Sequence, residues 1–168
     1  MKKNKTVYFL IIWFILAAAR DIEVLFSFDT VTDYLAFSNV GLAPLFFLCA
    51  IVVLLLNLAS IVFFFRPREV GLHVMLAAIL AAVIQDLFTM AISLSDLGKL
   101  KQAYIVSRQS RGLQVREDAL EFIFSELGMY TACLSTVLFY VFMAYLIRRN
   151  KSYFQPLKNE AGSTVENA

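Results

Sequence analysis

Apolar residues dominate three long stretches of the chain, and each is long enough to form a helix that crosses a membrane. The stretches run from residue 43 to 65, from 70 to 94 and from 127 to 147. A transmembrane helix needs about 20 mostly apolar residues to cross roughly 30 Å of hydrocarbon. Pro44 falls in the first turn of the first stretch, where proline is tolerated. The pattern predicts three transmembrane helices.

A less regular stretch lies near the N-terminus, and it has two interpretations. Apolar residues 7–19 are followed by the charged Arg20, Asp21 and Glu23, after which apolar character resumes as far as Phe28. A retained first helix over residues 7–28 would carry these charges in its outer third. A basic flank, a short apolar core and the three alanines 17–19 also describe a cleaved signal peptide. The retained helix is favoured because apolar residues continue beyond the charges.

The composition supports a membrane protein. The chain has 168 residues, of which 60% are hydrophobic and 17% charged. Soluble domains are about 45–50% apolar and about 25% charged. We therefore expect an all-α fold, an antiparallel four-helix bundle integral to the bilayer, as a single domain over residues 1–157. The net charge is +2 and the basic residues form short flanks, which argues against nucleic acid as a partner.

The basic flanks also predict an orientation. Lysine and arginine near the ends of membrane spans favour the cytoplasmic side. One side of the predicted bundle carries most of them close to the membrane, and the very short connection 66–69 lies on that side. We expect both termini in the cytoplasm and a location in the cell inner membrane. The basic residues on that side are Lys2, Lys3, Lys5, Arg66, Arg68, Arg148, Arg149 and Lys151.

Two further segments lie outside the predicted spans. Residues 95–126 form an outer loop, and residues 113–124 within it have apolar positions at three- and four-residue spacings, which predicts an amphipathic helix. The tail over residues 158–168 is rich in polar residues and predicts a disordered cytoplasmic segment.

Small and polar residues mark the faces on which the predicted helices would pack. Lipid is as apolar as leucine, so close approach at small residues, rather than burial of large ones, marks helix–helix interfaces. The residues expected at such interfaces are Asn57, Ala78, Ala82, Gly128 and Ser135.

One polar cluster is predicted within the membrane. Asp86 lies about 8 residues from the outer end of its span, roughly 12 Å deep, where an ionised aspartate is costly and should have a partner. Arg20 would reach a similar depth, so a direct Arg20–Asp86 ion pair is expected. This pair could serve only to fix helix register, or it could line a functional cavity. The candidate cluster consists of Arg20, Asp21, Glu23, Gln85, Asp86 and Glu126.

The sequence offers little for catalysis or metal binding. Cys49 and Cys133 lie in apolar stretches without neighbouring ligands, whereas structural zinc sites need about four ligands with close pairs. His73 has no second histidine, serine or cysteine at a useful spacing. We therefore predict no metal, no cofactor and no catalytic residue, and the balance is against an enzyme.

The functional expectation is a non-catalytic accessory or immunity-type protein that acts through helix–helix contacts. In size and topology the chain resembles the four-helix colicin immunity proteins, and that resemblance implies protection of an inner membrane. Besides the lipid bilayer, the expected partner is another membrane protein or a second copy of the chain. The alternative is binding or transport of a small molecule or ion through an outward-facing polar pocket around Arg20 and Asp86.

Overall fold

The computed structural model describes residues 4–115 and 117–155, and within these ranges the chain is all-helical, as predicted. The tail of residues 158–168, together with Lys2 and Lys3 of the basic flank, lies outside the described residues. Short 3-10 turns follow the first and last helices. The α-helices are α1 (Lys5–Phe26), α2 (Thr32–Asn39), α3 (Ala43–Phe65), α4 (Glu69–Ser95), α5 (Leu97–Ser110), α6 (Glu117–Ile123) and α7 (Glu126–Arg149).

Three of the described helices, α3, α4 and α7, are long and apolar enough to cross a membrane. Helix α1 has 22 residues, but Arg20, Asp21 and Glu23 interrupt its apolar sequence, and it is not in that group. The chain thus has the character of a membrane protein. A crossing by α1 and the cytoplasmic position of both ends stay predictions.

The ends of the long helices follow local capping signals. Helix α1 begins at Lys5 because the side chain of Asn4 accepts a hydrogen bond from the backbone N–H of Val7, 2.9 Å away. Helix α7 begins at Glu126 because the Ser125 hydroxyl accepts one from Gly128. Such side chains satisfy backbone N–H groups that have no partner within the helix.

The long helices pack in the order α1, α3, α4, α7, each against the next. The connection between α3 and α4 is only three residues long, so these two helices are antiparallel neighbours. Gly71 allows the first turn of α4 to approach the end of α3, because a Cβ added there would lie 2.7 Å from the Cβ of Phe63.

One end of this assembly, which we call the closed half, has a continuous apolar core. The first half of α1 and the last turns of α7 both contribute side chains to it. The ring of Phe64 lies 5.7 Å from the rings of both Phe14 and Phe154. The buried core residues are Val7, Leu10, Ile11, Phe14, Phe64, Met75, Ala78, Ile79, Met143, Ile147, Tyr153 and Phe154.

A set of hydrogen bonds, the polar clasp, ties the chain together at this end. The side-chain amide of Asn4 donates to the side-chain oxygen of Asn150 over 2.8 Å. The hydroxyl of Tyr153 donates to the backbone carbonyl of Phe64 over 2.7 Å. The clasp therefore places the start of α1, the end of α3 and the residues after α7 at the same end.

The opposite end is covered by α2 and α5, which pack on each other and form a cap. Helix α2 also contacts α3 and α4. The hydroxyl of Ser107 on α5 donates to the backbone carbonyl of Thr30, which precedes α2. Leu100, Ala103 and Ser107 form the buried face of α5. Helix α5 also contacts α4, so both helices of the cap pack against the long helices at this end.

The cap corrects the sequence-based description of residues 95–126 as a loop with a single amphipathic helix. Helix α5 occupies much of that segment, and α6 falls within the predicted residues 113–124. Helix α5 was missed because most of its residues are polar and its buried face includes Ser107. Gly112 has a φ of 68° and ends α5, and Gly41, with a φ of 76°, follows α2 in the same way.

Candidate functional site: a polar cavity between the long helices

A cavity of 530 Å³ lies between the long helices, beyond the closed half and beneath the cap. We call this region the open half. All four long helices and α2 contribute to its lining. The lining residues are Trp13, Leu16, Ala17, Arg20, Asp21, Val24, Asp33, Phe46, Ala50, Val53, Asn57, Ala82, Gln85, Asp86, Ser135, Thr136, Phe139 and Tyr140.

The lining follows helical periodicity. On α1 the cavity residues are spaced three and four apart from Trp13 to Val24, which places them on one face of the helix. On α3 the residues from Phe46 to Asn57 do the same, and all four of them are buried. Helix α3 is therefore the innermost wall of the cavity.

The cavity opens along the seam between α1 and α7. Leu16 and Arg20 on α1, with Ser135 and Phe139 on α7, are exposed, whereas the lining residues from α2, α3 and α4 are buried or half-buried. Below the mouth, the ring of Trp13 lies 6.1 Å from Phe139 and 6.5 Å from Tyr140. These aromatic contacts separate the cavity mouth from the closed half.

Two of the carboxyl groups in the cavity accept a hydrogen bond from an uncharged side chain. The amide nitrogen of Asn57 donates to Asp21 over 2.7 Å, which joins α3 to α1. The hydroxyl of Tyr140 donates to Asp86 over 3.0 Å, which joins α7 to α4. Each hydrogen bond satisfies one oxygen, and the second oxygen of each carboxyl group accepts none from the residues that the structure describes.

Other polar groups in the cavity have no hydrogen-bond partner among the residues that the structure describes. The side-chain oxygen Oε1 of Gln85 is buried and accepts no hydrogen bond. Within the same residues, the carboxyl group of Asp33 and the guanidinium of Arg20 take part in no hydrogen bond or ion pair and interact only electrostatically. A buried acceptor without a donor costs about 1–3 kcal/mol. The cavity thus contains more acceptors than its own side chains satisfy.

Asp33 is the cavity carboxyl group contributed by the cap. Its burial raises the pKa of its carboxyl group above the ordinary value of 3.8. The positive charge of Arg20 acts in the opposite direction, and the carboxyl group of Asp86 adds to the increase. Burial is the dominant cause.

The predicted direct ion pair between Arg20 and Asp86 is not formed. Both residues line the cavity, but they form no ion pair with each other. Among the described residues, the ion pair observed joins Lys99 and Asp96. Arg20 lies exposed at the mouth, while Asp86 is half-buried and bonded to Tyr140. A phenol donor satisfies the carboxylate without bringing a second charge into the interior.

The candidate cluster divides into two groups. Arg20, Asp21, Gln85 and Asp86 share the cavity. Glu23 and Glu126 are exposed and lie outside its lining. Glu23 follows Asp21 by two positions, a rotation of about 200° around a helix, so its side chain is carried to another face.

The residues predicted for helix packing occupy different environments. Ala78 is buried in the closed half. Ala82, Asn57 and Ser135 line the cavity, and Ser135 is exposed at its mouth. Gly128 packs against α6, because a Cβ at this position would overlap the backbone oxygen of Phe122.

The predicted cluster did not include Asp33, Trp13 or Tyr140, which carry much of the polar and aromatic character of the cavity. Asp33 belongs to α2, whose position depends on the fold of the cap, and Trp13 and Tyr140 lie in apolar stretches. A possible signal was the spacing of Tyr140 four residues after Thr136 and five after Ser135, which places polar groups on one face of α7.

The described residues contain no group of three or more His, Cys, Asp or Glu side chains that could hold a metal ion. Cys49 on α3 and Cys133 on α7 are free and half-buried. The cavity instead combines carboxyl groups, amides, hydroxyls and one guanidinium with aromatic rings, and this set can bind a polar molecule through hydrogen bonds and charge.

Comparisons with models of protein families, with curated proteins and with solved structures find no match to this chain.

Proposed function

We propose that this chain is a multi-pass membrane protein that binds a small molecule in the cavity of its open half, without catalysing a reaction. The proposal takes α1 as a fourth transmembrane helix beside α3, α4 and α7. It also places both ends in the cytoplasm of a cell inner membrane. The orientation is supported by basic residues at the end that carries the polar clasp, namely Lys5, Arg66, Arg68, Arg148, Arg149 and Lys151.

The cavity is the observation on which this proposal rests. Its volume of 530 Å³ falls within the roughly 300–1,000 Å³ typical of small-molecule sites. Its lining combines apolar and aromatic surface with a few convergent polar groups, which is also typical of such sites. Ionisable side chains inside a membrane protein are costly to retain and are candidates for function.

The unsatisfied acceptors support ligand binding over a purely structural role. A register-fixing cluster would be expected to pair its members with each other. Gln85 Oε1 has no donor, and Asp33 and Arg20 form no direct bond among the described residues. A bound molecule with hydrogen-bond donors would satisfy these groups.

The test is to purify the full chain from membranes in a mild detergent and record native mass spectra. We expect a small molecule to remain bound to the wild type. Ala82→Phe, which projects a ring into the cavity, should remove it. Ala77→Phe is the matched control, because Ala77 is exposed on the same helix and lies outside the cavity. Absence of a bound molecule from the wild type, or equal occupancy in both variants, would contradict the proposal.

A second candidate function is that of an accessory or immunity-type protein acting through helix–helix contacts. The observation that favours it is the exposure of two small residues on α7, Ala132 and Ser135, of which Ser135 lies at the seam between α1 and α7. Small residues allow a partner helix to approach closely. The same mass spectra separate the two candidates: a stoichiometric second polypeptide in place of a small molecule would favour this one.

A further inference from the structure

The position of the cavity mouth restricts which molecules can enter. The exposed lining residues come only from α1 and α7, and two of them are apolar: Leu16 is 63% exposed and Phe139 is 42% exposed. The outer end is covered by α2 and α5. If the long helices cross a bilayer, as the proposed function requires, the mouth faces the acyl chains at the side of the protein.

The charges within the cavity restrict the ligand further. Asp21, Asp33 and Asp86 supply three carboxyl groups, and Arg20 is the one basic side chain that the described residues contribute to the lining. Each of the three retains at least one oxygen without a hydrogen bond among the described residues. The buried Oε1 of Gln85 adds another free acceptor. A ligand that fits must donate hydrogen bonds and carry positive charge.

Aromatic rings complement these acceptors. Trp13, Phe46, Phe139 and Tyr140 line the same cavity. The face of an aromatic ring attracts a cation within about 6 Å, and aromatic residues recur in sites that bind quaternary ammonium groups.

We infer that the cavity binds a membrane amphiphile with an ammonium head group, which enters sideways through the seam between α1 and α7. This inference rests on the proposed function and names its ligand class. The ammonium group lies among Asp21, Asp33 and Asp86, and the hydrocarbon chain leaves past Leu16 and Phe139 into the bilayer. Two sources share this chemistry: a simple alkylammonium and a phospholipid with an ammonium head group.

Arg20 distinguishes the two sources. It is exposed at the mouth and takes part in no hydrogen bond or ion pair with a described residue. A phospholipid would place its phosphate between the ammonium group and the hydrocarbon chains, where Arg20 can bind it. For a simple alkylammonium, Arg20 is only a like charge that opposes binding.

The probe for binding is already present in the chain. Trp13 is the single tryptophan and lines the cavity, so its fluorescence reports occupancy. The full chain in a maltoside detergent is titrated with lysophosphatidylethanolamine, with lysophosphatidylglycerol of the same chain length, and with dodecylamine. We expect saturable changes in Trp13 fluorescence with lysophosphatidylethanolamine and with dodecylamine. Lysophosphatidylglycerol should bind at least roughly tenfold more weakly.

Asp33→Asn tests the role of the carboxyl groups. Asp33 forms no hydrogen bond to a described residue, so its replacement removes charge without breaking a contact. We expect both ammonium probes to bind roughly 10- to 100-fold more weakly, which is the range for loss of one bond to a charged group. Glu23→Gln is the matched control, because it removes a carboxylate from α1 outside the cavity.

Arg20→Gln then identifies the source. Weaker binding of lysophosphatidylethanolamine with stronger binding of dodecylamine indicates a phospholipid ligand, whereas stronger binding of both indicates a simple alkylammonium. The inference would be overturned if lysophosphatidylglycerol bound as tightly as lysophosphatidylethanolamine, or if Asp33→Asn left the binding of both ammonium probes unchanged. If Ala82→Phe displaces a bound molecule but the cavity shows no preference for ammonium probes, this inference alone fails. If the wild type carries no bound molecule, the proposed function fails as well.

Discussion

The closed half and the open half are built from the same four long helices and differ in what lies between them. In the closed half, α1 and α7 both contribute fully buried side chains, such as Phe14 and Met143, to one apolar core. In the open half the same two helices leave a seam, and carboxyl groups take the place of apolar side chains. The difference shows that the same helices can enclose an apolar core at one end and a polar cavity at the other.

The two halves also depend on different physical interactions. Within lipid there is no hydrophobic force between helices, so dense packing holds the closed half together. In the open half, interhelical hydrogen bonds from Asn57 to Asp21 and from Tyr140 to Asp86 connect neighbouring helices. Removing a side chain from the packed closed half should lower the free energy of unfolding strongly, because a void is left behind. A substitution at the cavity should lower it less, because water or a molecule can fill the space.

The largest expected effect belongs to the closed half. Phe14→Ala removes a fully buried ring that contacts Phe64 and Trp13. We expect a loss of roughly 3–5 kcal/mol in the free energy of unfolding, because a cavity remains in the core. Unfolding of the purified protein in detergent would measure it. Phe142→Ala is the control, since that ring is 51% exposed, and an equal loss in both variants would show that the closed half is not a packed core.

An intermediate effect tests how the open half is connected. In a double-mutant cycle, Tyr140→Phe and Asp86→Ala should be coupled by about 1 kcal/mol, the usual net value of a hydrogen bond. The cycle of Arg20→Ala with Asp86→Ala should show a coupling below about 0.5 kcal/mol, as expected for residues without a direct contact. Stronger coupling of Asp86 to Arg20 than to Tyr140 would indicate that the ion pair forms after all.

The smallest effect concerns the pH dependence of stability. Burial raises the pKa of Asp33 above its ordinary value of 3.8, although Arg20 opposes the change. The folded chain therefore holds this proton more tightly than the unfolded chain. Stability from this group is fully present below pH 3.8 and is lost as the pH rises through the raised pKa.

Unfolding measured across acidic pH would test this expectation. Asp33→Asn should remove that part of the slope, because the amide does not titrate. Asp29→Asn, which changes an exposed residue outside the cavity lining, is the matched control and should leave the slope in place. A slope of opposite sign at Asp33 would mean that Arg20 outweighs burial at the cavity.

The long helices could be predicted from the sequence because their signals are local. The predicted stretch 43–65 coincides with α3, and the stretches 70–94 and 127–147 fall within α4 and α7. The predicted first helix, residues 7–28, corresponds to α1 at Lys5–Phe26. Helix α1 begins two residues earlier than predicted because Asn4 caps it. Helices α2 and α5 could not be recognised from apolar periodicity, because each is short or polar and is stabilised by packing against the other.

The cavity could be predicted only in part. Arg20, Asp21, Gln85 and Asp86 stood out as polar groups within apolar stretches, and the structure brings them together. Their partners could not be deduced, because the choice of Tyr140 over Arg20 for Asp86 depends on the rotation and separation of α4 and α7. Asp33 could not be predicted as a cavity residue for a similar reason, because its position depends on how α2 packs against α5 and the long helices.

The hydrogen bond between Asn4 and Asn150 joins residues 146 positions apart in the chain, and this separation has a consequence for biosynthesis. Ribosomes add roughly 5–20 residues per second, so the two asparagines emerge on the order of ten seconds apart. During that interval α1 can pair with α3, but the apolar core still lacks the side chains of Met143 and Ile147. Helix α7, which follows the other three long helices in the chain, thus supplies part of the apolar core and one side of the cavity mouth, and a nascent chain that stops before α7 has neither contribution.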